Sequence, residues 1–492
     1  MIYQFGSAMP RLNIMQEINE HDHLHLQNRF AVIPTAEKLN AQSALTGRGV
    51  TIAFLDSGFY PHPDFADRVV TFHDISGEET SFSVIHEPLS HHWHGTQTVV
   101  ACAGDGSLSD GIYRGLASET KLVLVKVSEN GRITDSSIEK GLRWVIENRE
   151  RYNIRILNMS LGGDADVGLA DSRINRLTEE LVASGVVVTV AAGNSAELRS
   201  IPPANSPSVI TVGGYSDGNQ FSVDGFELYH SSYGATVDDL VKPEIIAPAM
   251  YVAAPILPQT DDYRATEILS ILAATPDYAF RPMLDEFWKI AGLDPKVLEF
   301  SDASARIAVE TEITRRKIVA THYQHVDGTS FAAPITASVA AQMIEANPDL
   351  TPVAIKNILV STAFRLGAHP AIRQGFGVLN ARLAVEQASR EVHFLEPGNY
   401  FPPRIEADRI LFCYHDDEAE TVFLRGDFND WQANIAFAKG EHGLWHAELP
   451  CQPAGRYRYK FLINGHRWTE DSSHGLKEDD GHGGLNSILI IQ

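Results

Sequence analysis

The chain has 492 residues, of which 44% are hydrophobic and 21% charged; that is ordinary for a soluble globular protein and enough for two or more domains. Its formal net charge of −23 makes phosphate contacts repulsive, and with no basic patch to override that repulsion, nucleic acid and anionic membrane surfaces are excluded as partners. No run reaches the length of a membrane span, the first thirty residues lack a continuous apolar segment, and three widely separated cysteines, Cys102, Cys413 and Cys451, cannot form a disulfide framework, so a cytoplasmic protein with reduced thiols is expected.

Residues 1–40 read as a polar, irregular N-terminal arm interrupted by Pro10 and Pro34. His21, His23 and His25 alternate within it, but a metal site needs a further ligand and a fixed backbone, and a solvated arm is the reading. From Gly49 the pattern becomes regular. Val50–Leu55 is a nearly continuous apolar run stopped by Asp56-Ser57-Gly58, as in a buried strand ending in a turn. Lys121–Val127, Ile154–Met159, Val186–Ala192 and Val209–Val212 repeat that signature, and helical periodicity covers Ser136–Asn148 and Ile174–Ser184. Buried strands alternating with helices predict a parallel sheet covered on both faces, with ligands beyond the carboxyl ends of its strands. Asp56 and Asn194 both follow strands at that end.

Taken singly, each polar residue here has an ordinary explanation. An aspartate after a strand caps a turn, a histidine beside glycine packs, and Asn194 after Gly193 suits a turn. Ser330 differs, because Gly328-Thr329-Ser330 opens the small-residue segment Phe331–Ala341, which gives a hydroxyl open access and a positive helix end beside it. Asp56-Ser57-Gly58, His94-Gly95-Thr96, Gly193-Asn194 and Gly328-Thr329-Ser330 occur in that chain order. The set resembles the subtilisin-like serine proteases, whose triad runs Asp, His, Ser along the chain. Asn158–Gly163 and Lys242–Pro248 add to the resemblance, which covers roughly residues 45–257 and 320–390 of a peptidase domain expected over 41–395.

The resemblance implies an endopeptidase acting on polypeptides, with Ser330 as nucleophile, His94 as general base, Asp56 orienting it and Asn194 donating to the oxyanion. Ser160, Leu161 and Gly162 match the segment against which an extended substrate pairs. No cofactor is required for that chemistry. Gln97 stands where the family often has a second histidine. Asp64 matches an aspartate that helps bind calcium in many members, yet residues 104–113 do not show the usual partner ligands, and calcium stays open as a structural ion. Residues 258–323 form an insertion just before the nucleophile motif, with helices expected at Tyr263–Leu272, Tyr278–Ala291 and Arg306–Ala320. A lid or docking surface is one reading of it, a peripheral decoration or dimer contact the other.

After Leu379 the alternation stops. A linker is expected over 396–404, followed over 405–492 by a small immunoglobulin-like β-sandwich whose clearest hairpin turn is Asn464-Gly465. Gly426–Trp431, Tyr457–Phe461, Arg467–Thr469 and Asn486 resemble the glycogen-binding module of the AMP-activated protein kinase β subunit and related modules of starch-debranching enzymes. That resemblance implies an α-glucan such as glycogen as partner: Trp431 and Trp468 offer flat apolar faces to glucose rings, and Lys460 and Asn486 bond the hydroxyls. A structural or protein-interaction role is the alternative for this module. For the whole chain the alternatives are a catalytically inactive peptide-binding scaffold and a glucan-processing enzyme, although the module offers no defensible pair of acid/base carboxylates for the latter.

Overall fold

The computed structural model describes residues 30–77, 82, 85–129, 131–367, 369–390, 403–405, 408–432, 434–440, 443–453, 455–471 and 477–491. His21, His23, His25 and most of the expected linker lie outside them. Strand β1 (Thr51–Asp56) is buried at all six positions, as a run of β-branched and large apolar residues demands when both faces are covered. With β2 (Val69–Asp74), β3 (Lys121–Lys126), β4 (Ile154–Met159), β5 (Val187–Ala191), β6 (Ile210–Ser216) and β7 (Ile245–Pro248) it forms a parallel sheet in the order β7-β6-β5-β4-β1-β3-β2. Alternation along β1 and β3 sorts the core. Ala53, Leu55, Val123 and Val125 face Ile138 and Leu142 of α2 (Asp135–Asn148) and Leu177 and Leu181 of α3 (Arg173–Ala183). Ile52, Phe54, Leu122 and Leu124 face the opposite layer, where α1 (His92–Ala103) lies. Burying each Val, Leu, Ile or Phe among them contributes about 1.5–3 kcal/mol.

The insertion folds as a helical subdomain on strand β8 (Val252–Pro255). Thr260 caps α4 (Asp261–Ala274) and Ser301 caps α6 (Asp302–Arg315), each accepting from a first-turn N–H; α5 (Asp277–Phe287) lies between them. Leu269, Leu272, Phe280, Leu284, Val309 and Ile313 make its own core. Two expectations need correction: the second helix ends at Phe287, and the third does not reach Ala320. Lys317 has φ +57°, which ends the helix, and Ile318–Ala320 becomes strand β9, paired with β10 (Tyr323–Val326), which also pairs with β8. Residues 30–40 are stitched to the domain. Phe30 packs on the insertion core, Ile33 N–H donates to Asn219 Oδ1 at 2.8 Å, and Lys38 pairs with Asp217 at 2.7 Å.

Helix α7 (Thr329–Ala346) runs through the core with Thr329 and Phe331–Ile344 buried, a placement that its alanines permit by letting neighbours approach closely. Helices α8 (Pro352–Thr362) and α9 (Ala381–Arg390) follow.

The C-terminal module is antiparallel. One sheet pairs β11 (Arg409–His415) with β13 (Leu444–Pro450); the other orders β12 (Val422–Gly426), β14 (Gly455–Ile463), β17 (Leu485–Ile491) and β16 (Lys477–Asp479), with β15 (Arg467–Thr469) on β14. Phe412, Trp445 and Leu449 of the first sheet meet Leu424, Phe461, Ile463 and Leu489 of the second in one core. Asn464 and Gly465 have φ +50° and +71°, the conformation that the Asn-Gly turn signals. Arg365 of the peptidase domain pairs with Glu470 of the module, and the Lys477 ammonium lies 5.3 Å from the Phe376 ring centroid.

Candidate active site

Asp56, the last residue of β1, is 1% exposed. Its Oδ1 accepts from His94 Nδ1 at 2.8 Å and from Ser57 N–H at 2.6 Å, and its Oδ2 from Thr98 Oγ1 at 3.3 Å. A carboxylate accepts only, so Nδ1 carries the hydrogen and Nε2 presents its lone pair. Gly95 makes this approach feasible, because a β-carbon there would lie 2.3 Å from Gly58 O. Burial disfavours the charged imidazole, but the Asp56 charge and hydrogen bond outweigh it and hold His94 above the ordinary histidine pKa.

Ser330 is the second residue of α7, where backbone N–H groups have no intrahelical acceptor. Gly328 before it has φ +141°, a value that favours glycine. The His94 and Phe331 ring centroids are 6.2 Å apart, so the imidazole stands against the residue after Ser330. Asn194 reaches the same loop: its Oδ1 accepts from Thr329 N–H at 3.0 Å and Thr329 Oγ1 at 2.9 Å. That fixes the amide orientation. A β-carbon at Gly328 would stand 3.7 Å from Asn194 Nδ2 and 3.8 Å from Ser330 N, so two N–H donors lie beside one small space.

Ser160 does something its sequence context does not announce. Its Oγ donates to the Ser330 carbonyl at 2.8 Å while accepting from Asn158 Nδ2 at 3.1 Å, and Thr189 Oγ1 donates to Asn158 Oδ1 at 3.1 Å. A hydroxyl and amide chain from β5 through β4 thus buttresses the serine loop. Leu161 is half-buried and Gly162 exposed, and Gly163 N–H ties the segment to Pro202 O at 2.8 Å.

Asp64 does not fit a calcium ligand. It is fully buried, its Oδ2 accepts from Tyr323 Oη at 2.7 Å and its Oδ1 from Ser107 Oγ at 3.1 Å, whereas calcium takes six to eight oxygens. Burial raises its pKa above the usual carboxylate range. Among the described residues, no group of three or more His, Cys, Asp or Glu is arranged to hold a metal.

On the module, Arg425 pairs across from Lys460 and Trp468 from Leu462, so alternation puts all four on the sheet face opposite the core residues Tyr459, Phe461 and Ile463. Trp431 and Trp468 come together with ring centroids 6.2 Å apart at 49°. Trp468 is 45% exposed, whereas Trp431 is half-buried with Nε1 bonded to Asp427 Oδ1 at 2.9 Å. Lys460 is committed to Asp480, and Asn486 is buried. Trp468 also lines a cleft of about 880 Å3 between the module and α8 and α9.

A subtilase family profile matches residues 47–378, and a profile described as the glycogen recognition site of AMP-activated protein kinase matches residues 409–492. Serine protease AprX of Bacillus subtilis (strain 168) is 33% identical over 351 residues, which cover 69% of this chain and 67% of that protein. Minor extracellular protease Epr of the same organism is 29% identical over 42% of this chain and 30% of its own length; for subtilisin-like protease 1 of Arthroderma gypseum the values are 31%, 39% and 36%. The chain thus spans about two thirds of the first of these relatives and about a third of the other two. The structure of fervidolysin from Fervidobacterium pennivorans, a keratinolytic enzyme related to subtilisin, aligns over 87% of this chain and 55% of its own at TM-score 0.49 and 16% identity. The chain belongs to the subtilase family of serine endopeptidases, and its residues 409–492 form a domain of the glycogen-recognition type.

Proposed function

We propose that the protein cleaves polypeptides with an Asp56-His94-Ser330 triad, and that its C-terminal module binds an α-glucan such as glycogen and so concentrates cleavage there. His94 Nε2 takes the proton from Ser330 Oγ as the oxygen attacks the scissile carbonyl carbon, and Asp56 stabilises the imidazolium. The oxyanion of the tetrahedral intermediate is held by Asn194 Nδ2 and Ser330 N–H. Collapse breaks the C–N bond, His94 returns its proton to the leaving amine, and the acyl group stays on Ser330. Water, deprotonated by His94, then releases the acid. An extended substrate pairs its main chain with residues 160–162. The reaction requires no cofactor.

The observation that carries this reading is the 2.8 Å bond from His94 to buried Asp56 beside a serine loop that Asn194 also grips. None of the three cysteines forms a disulfide, which supports a cytoplasmic setting for the proposal. The test is labelling by a serine-directed fluorophosphonate. Labelling of the wild type and none of Ser330→Ala is expected; no labelling of either leaves the peptide-binding scaffold, and equal labelling of both puts the reactive group elsewhere and overturns Ser330 as nucleophile.

A further inference from the structure

Between α1 and the insertion lies a cavity of about 510 Å3, with Leu89, Trp93, Ile256 and Leu257 as apolar lining and Gln97 contributing from α1. That size is within the roughly 300–1,000 Å3 of ordinary ligand pockets. Trp93 and Gln97 are four residues apart on one helix and share a face. The Trp93 ring stands edge-on to the His94 imidazole, centroids 5.3 Å apart at 90°. One wall of the cavity is therefore the residue next to the base.

Gln97 is 1% exposed, and its Nε2 donates to Pro255 O at 2.9 Å. A carbonyl can only accept, so the amide orientation is fixed with Oε1 turned away. That Oε1 is buried and has no hydrogen-bond partner among the described residues. Buried acceptors are normally satisfied, and Gln97 lines the cavity. At the mouth, Arg315 is bidentate on Glu312, and Arg316 pairs with Glu312 and Asp262. With these charges matched, the site calls for a neutral group.

We propose that this cavity is a substrate subsite for an aromatic side chain carrying a neutral hydrogen-bond donor, tyrosine or tryptophan. The ring packs on Trp93, Ile256 and Leu257, and the O–H or N–H bonds Gln97 Oε1. Phenylalanine fills the space but leaves the acceptor unpaired. Glutamate sets one acceptor against another, and lysine meets carboxylates that already have arginine partners. Because the insertion supplies part of the lining, the preference is a property of this chain's own elaboration. The proposal rests on the peptidase reading above.

The test uses the purified full chain and internally quenched peptides in which Tyr, Trp, Phe or Ala is walked through each position around the cleaved bond. The wild type is expected to favour Tyr or Trp over Phe by about tenfold in kcat/KM at one position, because only the former satisfies the buried amide. In Gln97→Met that difference disappears. Trp93→Ala, at a 47% exposed site and so tolerant of truncation should Gln97→Met fail to fold, lowers the ratio of kcat/KM on the Tyr peptide to that on the Ala peptide. Equal rates on Tyr and Phe at every position, or a Tyr-over-Ala ratio that Trp93→Ala leaves unchanged, overturns the subsite. Fluorophosphonate labelling run alongside separates the two ideas: a protein that labels but shows no preference loses the subsite and keeps the peptidase, and one that does not label loses both.

Discussion

The hydroxyl of Ser160 holds the main-chain carbonyl of Ser330 at 2.8 Å, so the strand expected only to receive substrate also braces the serine loop. Ser160→Ala removes that bond and strips Asn158 Nδ2 of its acceptor. Net loss of one buried hydrogen bond is worth about 1 kcal/mol. The expected result is a fall of roughly five- to tenfold in kcat with little change in KM, measured by steady-state hydrolysis of a peptide substrate.

Asp56 and His94 make activity and stability run in opposite directions with pH. The His94 pKa is raised in the folded state, so the pair's contribution to stability is complete below the unfolded histidine value of about 6.5 and is lost as pH climbs through the folded pKa. Catalysis needs neutral His94, and kcat/KM should rise over that same climb. Asp56→Asn removes the opposing charge. Burial then dominates, the acid limb of the profile moves to lower pH, and kcat falls by on the order of 10⁴. An acid limb in the Asn variant at the same pH as in the wild type would contradict this account.

Asn194 has two jobs that substitution can separate. Asn194→Ala loses both the Nδ2 donor and the acceptor for Thr329, so kcat should fall by about 10²–10³ and stability by about 1–3 kcal/mol. Asn194→Asp keeps an acceptor for Thr329 but has no amide donor. It should retain most of the wild-type melting temperature while losing at least as much kcat as the alanine variant, which paired calorimetry and kinetics will read directly.

The parallel sheet was legible because strands buried on both faces are continuous apolar runs, as in Thr51–Leu55 and Val186–Ala192. Strand Val69–Asp74 lacks such a run, since it lies at the sheet edge, mostly half-buried and ending in His73 and Asp74. Ile318–Ala320 continues the helical pattern of the preceding residues in sequence, and only the positive φ of Lys317 breaks it. Asp56, His94, Asn194 and Ser330 stand out by motif. The hydrogen bond from Tyr323 to Asp64 spans 259 residues, and neither it nor the orphaned Gln97 Oε1 has any local signature.

Arg365 and Glu470 couple the two domains. The carboxylate is almost wholly buried and the guanidinium mostly so, so Arg365→Ala leaves a buried charge without its partner at a cost of about 3 kcal/mol. Adding Glu470→Gln to that variant removes the stranded charge and should recover most of the loss. Chemical denaturation of the single and double variants checks this; a double variant as unstable as the sum of the singles would mean that the two residues act independently.

Glycogen binding, if the module performs it, must use the paired tryptophans unequally. Trp468 offers an open ring, with the Arg425 guanidinium 5.5 Å from its centroid. Trp431 is partly covered and its indole N–H is held by Asp427. Trp468→Ala is therefore expected to weaken co-sedimentation with glycogen by about tenfold and Trp431→Ala by less. The Lys460 ammonium is held by Asp480, so Asp480→Asn should release it towards sugar hydroxyls and strengthen binding if that lysine contacts glucan. Unchanged pelleting of the Trp431→Ala, Trp468→Ala double variant assigns the module to protein interaction instead. Full labelling of Ser330 by a fluorophosphonate in the same variant would show that the peptidase site had survived the change.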